Sequence, residues 1–213
     1  MPSRPVPRTL AEIAGLPTLA AHAANSVLLL IDGQREYTSG KLPLAGIDAA
    51  VEEGARLLAF ARARAMPVFH AIHHGRPGGA LFDPLGDGAA FIPSLMPVDG
   101  ETVLVKSLPN AFAGTPLAGR IRDTGRREIV IAGFATHMCV SATARSALDH
   151  GFRNTVVAAA TATRDLPHFA GAGVIPAAQV QQATLAALSD RFSVVIQDTA
   201  VLEERARHAA KVE

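Results

Sequence analysis

The 213-residue chain has one cysteine, one tyrosine and no tryptophan, and its aromatic content is only 5%. A single cysteine cannot build a disulfide framework; it suits a reducing compartment and leaves the thiol free. The formal charge is +1, and no basic run or aromatic-basic interleaving is present, so there is no electrostatic case for nucleic acid. Long apolar runs are also missing. Val27 to Ile31 is far too short to span a bilayer, and Met1 to Leu10, rich in Pro and Arg, lacks the apolar core of a signal peptide. These absences predict a cytoplasmic protein with no membrane partner.

What remains is a chain that is 49% hydrophobic and long enough to bury a large core as one domain. Residues 1–25 read as an irregular N-terminal arm with a short helix near Leu10 to Ala14, and residues 26–213 as the globular domain. There, strand-like runs alternate with helical patterns. Strands are predicted at Ser26–Ile31, Val68–Ile72, Thr102–Val105, Ile129–Ala132, Thr155–Ala159 and Ser193–Ile196. Helices are predicted at Ile47–Ala65, Pro116–Asp123, Met138–His150 and Ala177–Leu188. This order predicts an α/β fold of three layers, α/β/α, around a six-stranded parallel sheet, with the first and fourth strands adjacent at the switch point. The loop from His73 to Gly100, dominated by glycine and proline, is long enough to act as a lid or a partner contact.

The lone Cys139 lies in Gly133-Phe-Ala-Thr-His-Met-Cys-Val140, where an apolar strand ends at Gly133 and Thr136 can cap the next helix. Cys139 then falls in the first helical turn. Free backbone N–H groups and the positive end of the helix dipole there favour a thiolate, which predicts a depressed thiol pKa. Two further strand ends carry charge: Asp32 follows Ile31, and Lys106 follows Val105. In a parallel sheet all three sit at the carboxyl edge, where such folds bind ligands. A carboxylate there can take the thiol proton and return it to a leaving group, while an ammonium holds both anions.

These segments resemble the isochorismatase-like cysteine hydrolases, a family that includes nicotinamidases and several amidohydrolases acting on ureides. The matching pieces are Leu28-Leu-Leu-Ile-Asp32-Gly-Gln34, Val105-Lys106 with Pro109-Asn-Ala-Phe-Ala-Gly-Thr115, and Gly133 to Ser141, over about Ser26 to Phe192. The resemblance implies a catalytic triad of Asp32, Lys106 and Cys139. It also implies a cis peptide at Phe134-Ala135 and an oxyanion hole from the amides of Ala135 and Cys139. A homo-oligomer, dimer or tetramer, is implied too, with Phe82 and Phe91 to Met96 as the expected contact residues.

The chain departs from the nicotinamidases at Gly40-Lys-Leu-Pro43, where their metal ligands are missing. The cluster His70, His73 and His74 lacks the spacing of a zinc helix, so neither metal nor organic cofactor is expected. Tyr37, Phe112 and His137, close in sequence to the motifs, are candidate pocket residues for a small-molecule substrate. The function so implied is cleavage of a C–N bond in a small amide or ureide through a thioester. Alternatives are hydrolysis of a vinyl ether, as in true isochorismatases, or a catalytically silent binding protein on the same fold. A histidine base for the cysteine, at position 70, 73 or 137, is a weaker rival.

Overall fold

The computed structural model describes residues 5–209; the ends of both expected segments, residues 1–4 and 210–213, lie outside the described residues. The strands are β1 (Ser26–Ile31), β2 (Val68–His73), β3 (Thr102–Lys106), β4 (Glu128–Phe134), β5 (Arg153–Ala162), β6 (Leu166–Pro167), β7 (Val174–Ile175) and β8 (Val194–Ile196). The helices are α1 (Leu10–Ile13), α2 (Ile47–Ala63), α3 (Leu117–Asp123), α4 (Ser141–Asp149), α5 (Ala177–Arg191) and α6 (Thr199–Ala209).

Six strands form one parallel sheet in the order β3-β2-β1-β4-β5-β8, while β6 and β7 make a small antiparallel pair. β1 and β4 are neighbours, as expected for the switch point. Because side chains alternate across a strand, β1 serves two cores at once. Leu28 and Leu30 face the layer of α2 and α6, with Leu57, Leu58 and Leu202. Val27, Leu29 and Ile31 face the layer of α3, α4 and α5, with Leu117, Ala144 and Leu188.

One glycine fixes the join of the two sheet halves. Gly133 has φ +120°, and a Cβ there would lie 1.9 Å from the Ile31 carbonyl oxygen, so only glycine lets β4 pass this close to the end of β1. The cysteine turn is thereby brought beside Asp32.

Three expectations change. The helix expected from Met138 is a π-helical turn over Thr136–Val140 followed by α4, and Thr136 does not cap it: its hydroxyl is buried without a partner among the described residues. The sequence reading also stops at Ile196 and misses α6, whose start is held by Glu53 Oε1 accepting from the Thr199 amide at 2.7 Å. Finally, much of the long loop is core. Phe82, Ile92 and Leu95 are buried in the α2-side cluster, and Leu95 occupies the space left by Gly33 and Gly54. Of the apolar residues expected at a subunit contact, Pro93 and Met96 are left exposed.

Candidate active site

The carboxyl edge of the sheet collects Asp32, Lys106 and Cys139. Asp32 follows β1 in the left-handed region, φ +49°, a conformation that costs a non-glycine residue energy and turns its side chain away from the strand's alternation. Lys106 ends β3 and reaches across the end of β2. Its ammonium donates to Asp32 Oδ2 at 2.8 Å and to Cys139 Sγ at 3.4 Å. The Asp32 and Lys106 side chains are 0% exposed, and Cys139 is 5% exposed. The peptide bond Phe134–Ala135 is cis, immediately before the π-helical turn that carries Cys139.

Electrostatics overturn the expected depressed thiol. Burial and the neighbouring Asp32 carboxylate push Cys139 up to about 12, against the opposing pull of Lys106. The helix-terminus argument fails because the residue is enclosed and faces a carboxylate. Burial likewise raises Asp32 to about 6, although Lys106 pulls the other way. The resting cluster is therefore an ammonium, a carboxylate and a thiol. Asp32 Oδ1 is buried with no hydrogen-bond partner among the described residues, which leaves it as an acceptor for the thiol proton.

The other candidates divide. Tyr37 is buried edge-on to Phe82 and Phe134, and burial together with the nearby Asp32 carboxylate keeps its phenol protonated. It belongs to the wall of the site. His137, half-buried, bonds through Nδ1 to the Thr163 hydroxyl, and burial and then the charge of Arg164 lower its pKa. Phe112 is not brought to the triad. It packs on His150 and Phe152, with ring centroids 4.8 and 6.1 Å away, at the end of α4 remote from Cys139. Its nearness to the motif in sequence is undone by the chain running back along α4, where Ala111 donates to the Thr143 hydroxyl.

Sequence reasoning passed over two polar residues that hold the site's frame. Gln34 donates to the carbonyls of His73 and Ala89 and accepts from the His73 amide, tying the end of β2 to the long loop. Glu36, buried, accepts from the amides of Lys41 and Phe82. Gln34 lies inside the Asp-Gly-Gln motif, two residues past Asp32; that placement was the available signal.

His73 lies with its Nδ1 3.4 Å from the Lys106 ammonium, while His70, on the opposite face of β2, bonds Glu101. Among the described residues no group of three or more histidine, cysteine or acidic side chains is arranged to hold a metal ion. No histidine nitrogen there hydrogen-bonds Cys139 either. No helix among them is long and apolar enough to cross a membrane.

Comparison with known proteins identifies relatives of the whole fold. An isochorismatase crystal structure from Pseudomonas putida KT2440 superposes with a TM-score of 0.87 at 43% identity, covering 92% of this chain and 100% of that one. Streptothricin hydrolase of Streptomyces noursei is 34% identical over 202 residues, 94% of this chain and 80% of the relative. Maleamate amidohydrolase of Pseudomonas putida is 37% identical over 146 residues, 61% of this chain and 68% of the relative. The isochorismatase domain model matches residues 26–200, the stretch that carries Asp32, Lys106 and Cys139, and the chain belongs to the isochorismatase family.

Proposed function

We propose that this protein is a cysteine-dependent hydrolase that cleaves the C–N bond of a small amide or ureide through a thioester on Cys139. The observation that carries the reading is one buried ammonium shared by a carboxylate and a thiol, at 2.8 and 3.4 Å. Amide hydrolysis requires a nucleophile and a proton carrier that changes hands between two steps, and this cluster supplies both. The names of the maleamate and streptothricin relatives support the same class of chemistry.

Because the thiol is held protonated, the thiolate is generated during attack. As Sγ bonds the carbonyl carbon, the thiol proton passes to Asp32, whose pKa of about 6 suits both accepting and releasing it near neutrality. The negative charge moves to the carbonyl oxygen, which rests on the amides of Ala135 and Cys139. Asp32 then protonates the departing nitrogen as the C–N bond breaks, leaving the thioester. Water, deprotonated by Asp32, attacks the acyl carbon; the carboxylic acid leaves and the proton returns to sulfur. Lys106 remains an ammonium throughout and compensates the anion wherever it sits.

The test is a trap. The protein is incubated with a panel of small amides and ureides, maleamate and streptothricin among them, quenched in acid and analysed by intact mass. An acyl adduct on Cys139 that hydroxylamine removes, together with release of the amine or ammonia, supports the reading. Turnover that survives Cys139→Ala rejects it, and hydrolysis confined to a vinyl ether substrate would point to the isochorismatase-type reaction instead.

A further inference from the structure

We propose that His73 is a positioning residue of this site, acting as a neutral acceptor that holds the Lys106 ammonium between Asp32 and Cys139. The inference rests on the reading of Cys139 as the nucleophile. An ammonium has three N–H donors, and Lys106 has three acceptors in reach: Asp32 Oδ2 at 2.8 Å, Cys139 Sγ at 3.4 Å and His73 Nδ1 at 3.4 Å. With two acceptors, the flexible lysine could rotate about its last bond or slide onto the carboxylate alone. The third fixes its rotation, and with it the distance to sulfur.

The imidazole is itself held on several sides. His73 pairs in parallel register with Lys106 at the ends of β2 and β3. Its backbone amide donates to Gln34 Oε1 and its carbonyl accepts from Gln34 Nε2, at 2.8 and 2.9 Å. Its ring meets Phe82 edge-on, with centroids 5.1 Å apart. For Nδ1 to accept from Lys106, the ring must be neutral with its proton on Nε2. Burial and the Lys106 charge both favour that neutral form, holding His73 at about 4. The residue therefore complements the triad without carrying charge or touching the reacting carbon.

The experiment has one readout that needs no substrate and one that does. In protein with 15N-labelled histidine, assigned through His73→Asn, the His73 ring is expected as the Nε2-protonated tautomer at neutral pH, with an Nδ1 signal that moves on Lys106→Met. A ring protonated at Nδ1, or one blind to Lys106→Met, overturns the proposal. On any amide of the panel that is turned over, His73→Leu is expected to lower kcat about tenfold to a hundredfold with little change in KM, as for loss of a hydrogen bond to a charged group. His73→Asn, which restores an acceptor near the Nδ1 position, is expected to recover most of kcat. Equal losses in the two variants with unchanged thermal melting, or a loss confined to KM, also overturn it. Turnover that survives Cys139→Ala would instead reject the nucleophile assignment, and leaves the tautomer measurement to decide the contact by itself.

Discussion

Two charge clusters share strand β2, one on each face, and they are wired in opposite ways: one is enclosed, and the other reaches the surface through Arg62. On one face Glu101 is saturated. Arg62 donates to both its oxygens at 2.8 and 3.0 Å, His70 contacts it at 2.9 Å, and the Val98 amide donates at 3.0 Å. At the other site Asp32 has its Lys106 contact and an oxygen with no hydrogen-bond partner among the described residues. The outcome for each carboxylate follows from its burial, complete at Asp32 and partial at Glu101, set against those bonds. Bonds from Arg62 and His70 outweigh burial and draw Glu101 down to about 2, whereas burial dominates at Asp32 and lifts it to about 6. A fully bonded carboxylate suits a tie between elements; one with a free oxygen suits the proton carrier proposed for Asp32.

The largest effect expected from this contrast is on turnover. Asp32→Asn should lower kcat by on the order of a thousandfold or more, nearly as far as Cys139→Ala, because the members of such a unit are useless singly. Circular dichroism should show the fold retained. An Asp32→Asn enzyme keeping most of its kcat would place the proton carrier elsewhere.

Next in size is stability at the other cluster. Glu101→Gln should cost about 2 kcal/mol, since it leaves Arg62 and His70 without their charged partner, while kcat stays close to wild type. Urea denaturation measures the first and steady-state kinetics the second. Comparable losses of kcat in the two variants would erase the distinction between tie and carrier.

The pH responses should differ in sign. Glu101, depressed on folding, adds stability above the ordinary glutamate range that is lost as the pH falls toward about 2. Asp32 is raised on folding from 3.8 to about 6, so its effect is the reverse: stability falls as the pH rises through that window. Denaturation midpoints against pH for each variant, minus wild type, test both slopes. Independently, kcat/KM should climb through about pH 6 as Asp32 ionises in the free enzyme.

The smallest effect expected is none at all. Dialysis against a strong chelator should leave turnover unchanged, since His70 is engaged by Glu101 and His73 by Lys106. A metal-dependent loss would mean that the β2 histidines serve a third purpose.

Much of this architecture could be read from the sequence because buried parallel strands are written as unbroken apolar runs, and their ends mark one sheet edge. Asp32, Lys106 and Cys139 stood out as polar or reactive residues at or just past those ends. The thiol's environment could not be read in the same way. Whether a helix-entry cysteine is activated or enclosed depends on what covers it, and Asp32 and Lys106 arrive from strands distant in sequence. The same limit hid the role of His73, since its partner comes from the neighbouring strand. Phe112 failed for the complementary reason: proximity along the chain was mistaken for proximity in space. The loop from His73 to Gly100 looked like a lid by composition, yet Leu95 fills a hole that only Gly33 and Gly54 together define.

The close approach at Gly133 has a consequence for how this protein tolerates mutation. With any side chain there, β4 must part from β1 before chemistry is even at issue, because the collision is with backbone. A library screened for cellular abundance should therefore purge position 133 and pass small residues at 139. The same library screened for turnover should purge both. Comparing the two screens would separate residues that let the chain persist from those that let it react, and Gly133, lying six residues before Cys139, would fall on the first side of that line.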